Sequence, residues 1–572
     1  MKRTHYCGAL RLSHAGQTVT VCGWVQRARD LGGLVFIDLR DREGIVQCIF
    51  DSENPLSGEA AHARSEWCLA VTGTVRERTN KNLTIPTGEV EIEAAELRVL
   101  SRAQTPPFEI EADTKANELL RLEYRYLDLR RPVLQKNLMI RHRALQTVRR
   151  YLDAEGFYEI ETPMLTASTP EGSRDYLVPS RLHRGKFYAL PQSPQQYKQL
   201  LMVAGVDKYF QLARCARDED LRADRQPDFT QIDMEMSFVG MEDIYTVSEG
   251  MIADLFGAFG ISVPLPLPRL TYREAMDRYG SDKPDTRFGF ELKDLTDLTR
   301  GCGFAVFESA KSVRCIVVGH EFTRRETDAL TDFIKGLGLK GLAWHKAESS
   351  SFGKFLSGDA LGRLCEHAGF APGSTLFAVA GDDERLVKTS LGALRLECAR
   401  RLNLLDPDVY HFLWITEFPM FEYSEEEGRY VAQHHLFTAP MDEDVPLLSQ
   451  KDLSQVRSKA YDMVCNGYEI GGGSIRIHDA VLQARVFDLL GLSKEDADLR
   501  FGHMLKAFSY GVPPHGGIAF GFDRVAMLLC RTANIRDVIA FPKTQSAAEP
   551  MTGCPVTVER KQLDELGIRL GD

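Results

Sequence analysis

The sequence predicts a multi-domain protein of the α+β and all-β classes, in which a small β-barrel precedes a domain with an antiparallel sheet and an αβ module is inserted into that domain. Three observations support this prediction. The chain has 572 residues, several times the size of a single domain. Short apolar strands follow one another near its beginning. A hairpin-like stretch and a distant glycine-rich strand enclose a region in which strands alternate with helices.

The predicted barrel consists of segments rich in Val, Ile, Leu, Phe and Trp, some of them separated by turn residues such as Gly32 and Gly33. The five segments are Thr18–Gln26, Leu34–Asp38, Ile45–Phe50, Cys68–Val75 and Val90–Val99. Strands at this density favour a closed barrel of the oligonucleotide-binding kind. Another type of small β-barrel fits the same composition, so this alternative stays open.

Beyond a proline-containing linker, a helix is predicted to begin after Pro132 and to end at Gly156. Its apolar face is formed by Leu138, Leu145, Val148 and Leu152. A short strand is predicted over 157–161. A helix followed by a strand also occurs as plain core scaffold, so this unit alone indicates no function.

Composition and charge restrict the class of protein. Hydrophobic residues make up 44% and charged residues 26%, and no apolar run reaches the roughly 18 residues that a membrane span needs. The start lacks the layout of a secretory signal and the 12 cysteines form no C-x-x-C pairs, so we expect a cytoplasmic location. The net charge of −11 argues against a nonspecific nucleic-acid coat, and we expect neither a membrane nor DNA as partner. The arginine-rich stretches 27–42 and 120–150 form either a local basic face or ordinary solvated surface.

The segment 288–408 is predicted to be the inserted αβ module. Strands such as Arg314–Val318 and Phe377–Ala380 alternate there with helical stretches. The insertion separates the hairpin-like stretch from the glycine-rich strand.

Three glycines within the insertion, at 336, 338 and 341, have the spacing of a dinucleotide-binding loop. Such a loop must follow a strand and open a helix. Here Gly336 ends a helix over 327–335, and the strand-like stretch 342–344 comes next. We therefore assign these glycines to helix capping. The sequence also contains no Walker-type phosphate loop.

Residues Lys208–Phe238 are predicted to form two antiparallel strands joined by a polar loop. In the returning strand, Asp233 and Glu235 alternate with apolar residues, so one face is acidic and the other faces the core. In the outgoing strand the same period places Arg217 and Glu219 on one face. An ordinary amphipathic hairpin has the same alternation, so the pattern alone does not identify a site.

The glycine-rich strand Gly517–Arg524 leads into a helix that is predicted to start near Val525. Glycines allow a backbone to lie close to a flat ligand. An arginine at the helix entrance offers a fixed fork for phosphate oxygens. Together with Arg217, Arg524 would hold a triphosphate from opposite ends.

These segments resemble, in order, the three signature motifs of the class II aminoacyl-tRNA synthetases. The matching stretches are Gly156–Pro163, Arg217–Glu219 with Asp233–Glu235, and Gly517–Arg524. Three further stretches, 169–176, 192–198 and 467–476, are similar to the pocket segments of the aspartyl family. The resemblance extends over almost the whole chain.

The order of barrel, catalytic part and insertion resembles the bacterial-type architecture of that family. It implies an oligonucleotide-binding barrel, a class II catalytic domain built on an antiparallel sheet, and an inserted αβ domain. The implied boundaries are 1–104 for the anticodon-binding barrel, 105–131 for a hinge, 132–287 and 409–550 for the two catalytic parts, 288–408 for the insertion and 551–572 for a C-terminal extension.

The resemblance implies a ligase that activates L-aspartate with ATP to aspartyl-adenylate and transfers it to the 3′ end of tRNA-Asp. Catalysis then rests on positioning and charge neutralisation, because carboxylate and phosphate repel each other. Arg217 would bridge the α-carboxylate and the α-phosphate, Arg524 would hold the far end of the triphosphate, and Glu219 completes the implied catalytic set. The implied ATP-binding residues are Arg217, Asp218, Glu219, Gln226, Phe229, Glu469, Gly521, Phe522, Asp523 and Arg524.

Within this set Phe229 is expected to stack on the adenine. Asp462 and Glu469 are the expected Mg²⁺ ligands, since that ion prefers hard oxygen donors. Each of the two acids could instead be an ordinary surface residue.

The implied aspartate site places Lys198 and Arg476 at the β-carboxylate. Asp233, Ser193 and Gln195 would receive the α-ammonium, with Glu171 on a closing loop. The full implied set is Glu171, Ser193, Gln195, Lys198, Arg217, Asp233, His434 and Arg476. Donors facing the amide of asparagine would reject it by about 10⁴ or more, so no editing domain is expected.

His434 precedes His435, and Leu436 stands where the family leads us to expect a proline. The conformation of this loop therefore stays open, and a buried hydrogen-bonded histidine pair is the alternative to a substrate contact.

The barrel contains the residues implied at the anticodon. Phe36 and Gln47 match positions that stack on the anticodon bases and hydrogen-bond them, and Arg29 lies nearby. Phe36 as a core residue is the alternative there.

Three other readings remain. A non-discriminating enzyme would also charge tRNA-Asn, although Leu31 resembles the stricter form. A non-catalytic relative that binds RNA is disfavoured by the intact catalytic set. Asparaginyl or lysyl specificity is disfavoured by the cation pair and by the insertion. The first signature motif implies a homodimer.

Overall fold

The computed structural model describes residues 2–168, 173–356 and 359–571. The chain forms two compact units. One comprises the residues up to His142 together with Leu221–Gln226 and Asn534–Val558. The other comprises Arg143–Asp220, Pro227–Ala533 and the residues from Glu559 on. The finer domain boundaries given above stay a prediction.

The first unit contains a closed five-stranded barrel. Its strands are β1 (Thr18–Asp30), β2 (Val35–Asp41), β3 (Gly44–Phe50), β4 (Cys68–Glu77) and β5 (Val90–Ser101). They close in the order β1-β2-β3-β5-β4, with only β3 and β5 parallel. Alternate side chains of β2, namely Val35, Ile37 and Leu39, are buried in the core, which is why the apolar pattern predicted the strand correctly. The predicted barrel is confirmed.

Four helices accompany the barrel or follow it: α1 (Ser57–Ala61), α2 (Glu118–Glu123), α3 (Arg125–Asp128) and α4 (Pro132–Ala154). A proline suits the first turn of α4 because its missing N–H has no intrahelical partner there. Asp128 is fully buried and accepts hydrogen bonds from Arg125 at 2.7 Å and Arg131 at 2.9 Å. The helix predicted after Pro132 is confirmed.

The second unit is built on an eight-stranded sheet. Its strands are β6 (Tyr158–Glu159), β9 (Lys208–Ala216), β10 (Asp228–Ser237), β11 (Arg269–Thr271), β16 (Phe412–Thr416), β19 (Ala460–Cys465), β20 (Tyr468–Ile475) and β21 (His515–Gly521). Their order is β11-β16-β19-β20-β21-β10-β9-β6, and only the two outermost pairs are parallel. The predicted antiparallel sheet is confirmed.

The second unit contains further helices and hairpins. The helices are α5 (Gln195–Val203), α6 (Met241–Gly257), α7 (Tyr272–Tyr279), α12 (Ala480–Leu489), α13 (Lys494–Phe508), α14 (Phe522–Leu529) and α15 (Arg560–Leu566). The pairs β7 (Leu177–Pro179) with β8 (Phe187–Ala189) and β17 (Phe421–Ser424) with β18 (Arg429–Ala432) form two small hairpins. The start predicted for α14 near Val525 was three residues late, because Phe522 and Asp523 are already helical and buried.

The insertion has a four-stranded sheet of its own. It contains β12 (Lys293–Asp294), β13 (Ser312–Val318), β14 (Ala343–His345) and β15 (Thr375–Gly381), with α8 (Ala305–Glu308), α9 (Arg324–Gly336), α10 (Ala360–Ala368) and α11 (Glu384–Arg401). The strand order is β12-β13-β15-β14. Helix α9 ends at Gly336 and a strand follows, so the glycine spacing is not a dinucleotide loop.

Apolar side chains pack on both faces of this small sheet. Ile316 and Phe377 belong to one buried cluster, whereas Val313 and Leu376 belong to another. A buried arginine of α11, Arg395, donates to the carbonyl oxygens of Asp285 and Phe288 at 2.8 Å and of Gly289 at 3.0 Å. The last helix of the insertion is thereby tied to the segment through which the chain enters it.

None of the helices formed by the described residues is long and apolar enough to span a membrane.

Candidate active site

The hairpin of β9 and β10 forms the floor of the site. β10 lies between β9 and the glycine-rich strand β21, with Asp233 opposite Gln211 on one side and Ala519 on the other. Asp233 and Glu235 are both fully buried. The acidic face predicted from alternation therefore exists, but it points into the protein rather than into solvent.

Two cations meet these two carboxylates. Lys198 Nζ lies 2.7 Å from Asp233 Oδ1 and 3.3 Å from Glu235 Oε2. Arg476 donates from Nε to Glu235 Oε1 at 3.0 Å and from Nη2 to Glu235 Oε2 at 3.1 Å. We call Lys198, Asp233, Glu235 and Arg476 the charge tetrad. Its formal charges cancel, because it contains two cations and two anions.

The tetrad also brings together three residues that the sequence assigned to aspartate binding and one that it did not. The role of Glu235 was missed, since its partner Arg476 lies 241 positions away in the chain. An acidic side chain two residues from Asp233 on the same strand face was the available signal. The cation pair predicted for the β-carboxylate is already half neutralised by Glu235.

The two carboxyl groups of the tetrad differ in their proton affinity. Burial raises the pKa of Asp233, although the neighbouring Lys198 ammonium opposes this effect. Burial would also raise the pKa of Glu235, but Arg476 and Lys198 outweigh it and bring that pKa to about 2. Glu235 is therefore the firmly ionised counter-ion of the pair of cations.

One carboxylate oxygen of Asp233 is available to a ligand. Its Oδ2 is buried and accepts no hydrogen bond from any residue within the described ranges. The neighbouring hydroxyl of Tyr209 donates to Gln211 Oε1 instead, at 3.0 Å. A buried acceptor without a donor is costly, so this oxygen is suited to receive a cationic group of a ligand.

Helix α5 supplies the other residues predicted for the amino group. Gln195 begins this helix, and its backbone N–H donates to Ser193 Oγ at 3.3 Å. Gln195, Lys198 and Gln199 lie on one buried face because residues three and four apart are neighbours on a helix. The structure thus brings Ser193, Gln195 and Lys198 together. Glu171 lies outside the described residues.

The two histidines have different neighbours: His435 interacts with the cations of the tetrad, whereas His434 interacts with Glu469 and Asp282. Burial lowers the pKa of His434 to about 4, against the charges of Glu469 and Asp282. Burial, then the Arg476 and Lys198 cations, lower the pKa of His435 to about 3. His434 Nε2 is buried and has no hydrogen-bond partner among the described residues. The alternative of a buried, mutually hydrogen-bonded pair therefore fits poorly.

Leu436 adopts a well-packed position despite the missing proline. Its side chain packs against two apolar clusters, one containing Val486 and the other Phe437 and Phe501. Its carbonyl oxygen accepts a hydrogen bond from Gln483 Nε2 at 3.0 Å. The loop is held by these contacts without a proline.

Strand β9 ends at Ala216, so the prediction that Arg217 and Glu219 lie on one face of this strand is wrong: both belong to the loop that follows. Arg217 lies next to the aromatic residue expected at the adenine. Its guanidinium is 5.1 Å from the centre of the Phe229 ring, and its Nε donates to the carbonyl oxygen of Gln192 at 3.4 Å. Asp218 is half exposed, and its carboxylate lies 3.7 Å from Arg174. Glu219 is partly buried in the loop that follows. A partly exposed guanidinium beside an aromatic face suits a nucleotide.

The third signature stretch places Arg524 in the first turn of α14. Its Nη1 donates to the carbonyl oxygen of Glu469 at 2.9 Å. The preceding Asp523 is buried, and its Oδ2 accepts the backbone N–H of Thr230 at 2.9 Å. This bond fastens the strand that carries Phe229 to the helix that carries Arg524. Gly521 caps that helix, and Phe522 is fully buried in the core.

Within β21, Gly517 is required for close packing against the neighbouring strand. A Cβ at Gly517 would lie 1.9 Å from Glu235 Oε2 and 2.2 Å from the carbonyl oxygen of Met234. Glycine is required here because the Glu235 side chain crosses this position.

The two acids predicted for Mg²⁺ lie near each other on the paired strands β19 and β20. A Cβ at Gly472 would lie 2.6 Å from Asp462 Oδ1 and 3.6 Å from Glu469 Oε1. Burial, Glu469 and Asp282 raise the pKa of Asp462 well above its usual range. Such mutual destabilisation of carboxylates is relieved by a cation, so this donor set fits Mg²⁺. Among the residues that are described, no cluster of three or more His, Cys, Asp or Glu side chains suited to a metal occurs.

Gln226 belongs to the first compact unit. Its Oε1 accepts the backbone N–H of Lys543 at 2.7 Å, and its Nε2 donates to the Lys543 carbonyl at 3.1 Å. The side chain therefore fastens its own loop to the segment around Lys543. Its assignment to ATP binding stays a prediction.

In the barrel, the residues expected at the anticodon share one outer face. Phe36 pairs with Arg29 on β1, and Asp38 pairs with Gln47 on β3. Arg29 Nη2 lies 3.2 Å from Asp38 Oδ2, and its guanidinium is 5.7 Å from the centre of the Phe36 ring. Phe36 is partly exposed and lies outside the barrel core, so the alternative of a core residue is wrong. Leu31 is 68% exposed.

Gln47 is the exception on this face. It is only 5% exposed, donates to Glu91 at 3.0 Å and accepts from Arg78 at 2.9 Å. Its amide must therefore exchange a partner before it can bind a base.

Comparison with known proteins identifies the family. A family model described as "tRNA synthetases class II (D, K and N)" matches residues 117–545, and one described as "OB-fold nucleic acid binding domain" matches residues 19–100. The fold and the site define a class II tRNA synthetase with an OB-fold domain.

Similar curated proteins identify the family within this class. The "Aspartate--tRNA(Asp/Asn) ligase" of Lachnoclostridium phytofermentans is 54% identical, with 100% of this chain and 98% of the relative covered. The "Aspartate--tRNA ligase" of Ruminiclostridium cellulolyticum is 53% identical at the same coverage. The chain belongs to the aspartate–tRNA ligase family.

Solved structures share the fold at low identity. Asparaginyl-tRNA synthetase from Pyrococcus horikoshii, complexed with asparaginyl-adenylate, has a TM-score of 0.60 at 17% identity, covering 95% of this chain and 98% of its own. Aspartyl-tRNA synthetase from Entamoeba histolytica has a TM-score of 0.59 at 20% identity, covering 95% and 91%. At these identities the likeness concerns the fold alone.

Proposed function

We propose that this chain activates L-aspartate with ATP, forming aspartyl-adenylate and pyrophosphate, and then transfers the aspartyl group to the 3′ end of tRNA-Asp. The observation that carries this proposal is the buried, charge-balanced tetrad with an acceptor left over on Asp233. It offers an amino acid one anionic oxygen for its ammonium and cationic donors for its side-chain carboxylate.

The donor inventory supports an anionic side chain. A guanidinium has five N–H donors and an ammonium has three. The bonds described above engage three N–H groups of Arg476, the third donating from Nη1 to Ser474 Oγ at 2.6 Å. Two further N–H groups of Arg476 and one of Lys198 have no assigned acceptor within the described part of the chain. A carboxylate accepts such donors, whereas the NH₂ group of asparagine does not.

Selectivity then rests on donor orientation more than on net charge. Because Glu235 cancels one cation and Asp233 the other, the tetrad as a whole is neutral. If asparagine bound, its NH₂ group would leave buried N–H groups of the tetrad without acceptors, and this cost would reject it. Sites with this property need no separate editing step.

In the activation step, one α-carboxylate oxygen of aspartate attacks the α-phosphorus of ATP, and the bond from that phosphorus to pyrophosphate breaks. Arg217 would neutralise the two approaching anions, with Phe229 holding the adenine beside it and Glu219 close by. Arg524 would bind the far end of the triphosphate. Such catalysis depends mostly on donors that are already positioned, before the reaction, around the negative charge of the transition state.

Asp462 and Glu469 are the residues that would hold Mg²⁺. The bound ion would neutralise phosphate charge beside the arginines. The chain's own part is to present two adjacent carboxylates on paired strands.

The test is aspartate-dependent exchange of pyrophosphate into ATP, compared with asparagine as substrate. We expect exchange with aspartate only. Arg217→Ala and Arg524→Ala should each lower the exchange rate about 10²-fold to 10³-fold. In other enzymes, removing one donor that stabilises transition-state charge has an effect of this size. Arg269→Ala, which removes a surface arginine paired with Glu242 at 2.6 Å, is the matched control and should leave the rate unchanged. Undiminished exchange in both site variants would overturn the proposal.

The outer barrel face of Arg29, Phe36 and Gln47 would bind the anticodon, and a homodimer would form through the first signature motif.

A second candidate function is the charging of tRNA-Asn in addition to tRNA-Asp. It is favoured by relatives named "Aspartate--tRNA(Asp/Asn) ligase", such as that of Halothermothrix orenii at 53% identity. Charging assays on the two purified tRNAs distinguish a strict enzyme from a non-discriminating one.

A further inference from the structure

Three buried polar side chains form a hydrogen-bonded chain beside the tetrad. Gln195 Nε2 donates to Gln199 Oε1 at 3.0 Å, and Gln199 Nε2 lies 3.0 Å from His515 Nε2. His515 Nδ1 lies 2.8 Å from the carbonyl oxygen of Pro513. Gln199 and His515 are fully buried, and Gln195 is 7% exposed. We call Gln195, Gln199 and His515 the amide relay.

The direction of every bond in the relay is fixed from one end. The Pro513 carbonyl can only accept, so the proton of His515 must be on Nδ1. Burial lowers the pKa of His515 and keeps the ring neutral, so Nε2 carries a lone pair and accepts. Gln199 must therefore turn its NH₂ group toward His515 and its oxygen toward Gln195.

The same reasoning carries one step further. Because the oxygen of Gln199 faces Gln195, the NH₂ group of Gln195 must point to Gln199. The oxygen of Gln195 then points away from the relay, and no hydrogen bond within the described ranges engages it. We propose that Gln199 and His515 are positioning residues, which hold the Gln195 amide so that its oxygen accepts the α-ammonium of the substrate.

The position of the relay in the fold agrees with this role. Gln195 and Lys198 share the buried face of α5, and Lys198 contacts Asp233, whose Oδ2 is the other acceptor proposed for the ammonium. The carbonyl oxygen of His515 also accepts the backbone N–H of Arg476 at 2.9 Å. The relay therefore joins the ammonium end of the site to the strand that carries the β-carboxylate donor. This inference rests on the proposed function.

The experiment measures the binding of two ligands that differ only in the amino group, L-aspartate and succinate, by calorimetry on the full-length chain. In Gln199→Leu the Gln195 amide loses its fixed orientation. We expect the affinity for aspartate to fall about ten-fold, the loss expected for one hydrogen bond to a charged group. The affinity for succinate and the KM for ATP should change less than about two-fold, because neither involves that oxygen.

A second variant tests the relay at its other end. His515→Asn retains a donor near the Nδ1 position but removes the Nε2 acceptor, so it should produce the same selective loss. The double variant should be no worse than either single one, because both break the same relay. Thr327→Val is the matched control: Thr327 is 1% exposed and its hydroxyl also donates to a carbonyl oxygen, that of Thr323 at 2.9 Å, but it lies in the insertion and outside the relay. It should leave both affinities unchanged.

The outcomes separate this inference from the proposed function. Equal losses for aspartate and succinate, or no loss for either, in both Gln199→Leu and His515→Asn would overturn the positioning role. Absence of aspartate-dependent exchange in the wild-type chain would instead overturn the proposed function. If circular dichroism shows that one variant is unfolded, the decision rests on the other one.

Discussion

Substitution of Glu235 by glutamine tests the electrostatic balance of the tetrad. The carboxylate accepts two N–H groups of Arg476 and lies 3.3 Å from the Lys198 ammonium, all within the core. Its pKa of about 2, against an ordinary value of 4.5, corresponds to a stabilisation of about 3 kcal/mol. Removing one partner of a buried ion pair costs about 3–5 kcal/mol, which agrees with this figure. We therefore expect Glu235→Gln to lower the free energy of unfolding by about 3 kcal/mol.

Urea unfolding followed by intrinsic fluorescence measures this loss, and the midpoint should move by about 1 M. The matched control is Glu249→Gln, a carboxylate 6% exposed that accepts from the neutral Trp414 Nε1 at 2.9 Å. Glutamine keeps an acceptor there, so the cost should stay below about 1 kcal/mol. If the two variants were destabilised equally, the tetrad would contribute no charge-specific stability and the reasoning would be wrong.

The pH dependence supplies an independent check on the same variant. The pKa of Glu235 is lower in the folded chain than in the unfolded chain, so its stabilising effect is complete above about pH 4.5. The effect disappears as the pH falls toward 2. The difference in stability between wild type and Glu235→Gln should therefore shrink over this interval, and a difference that stayed constant would contradict the assigned cause.

Two further substitutions test the nucleotide and RNA sites. Asp523→Ala should raise the KM for ATP about ten-fold with little effect on the KM for aspartate, because Thr230 N–H loses its acceptor and the strand of Phe229 is released from α14. Asp523→Asn should restore most of the activity, and Asp243→Ala, which removes a comparable bond of 2.8 Å to Gly240, should leave both KM values unchanged; equal damage in the alanine and asparagine variants of Asp523 would contradict this role. Phe36→Ala should weaken tRNA binding by about 1–3 kcal/mol per unstacked base in a charging assay while pyrophosphate exchange stays normal. A parallel fall of exchange and charging would show that Phe36 is not an RNA contact.

Local patterns predicted those parts of the fold that depend on local chemistry. The barrel strands, helix α4 and the β9–β10 hairpin follow from side-chain periodicity, which neighbouring residues determine. The end of α9 at Gly336 follows from helix-capping chemistry in the same way. These predictions were confirmed, although the barrel strands are longer than their apolar cores suggested.

The sequence alternation placed Glu235 on the same strand face as Asp233, but it could not show that Glu235 is the counter-ion of Arg476. Its partner Arg476 is 241 positions away, and the bond from Asp523 to Thr230 joins residues 293 apart. Only the tertiary fold decides whether a carboxylate in an alternating strand faces water, a ligand or a buried cation. For the same reason the amide relay could not be predicted. The positions of glutamines along a helix do not indicate which distant residues they bind.

The junction at Arg395 has a consequence for truncation. The three carbonyl oxygens that this guanidinium saturates belong to residues 285–289, whereas the arginine itself is part of the last helix of the insertion. Excising residues 288–408 would remove Arg395 together with two of these carbonyls, and it would leave the buried carbonyl oxygen of Asp285 without its charged donor. A shortened chain should be made with a substitute cation at this point, because a simple deletion would damage the remaining protein for reasons unrelated to what the insertion does.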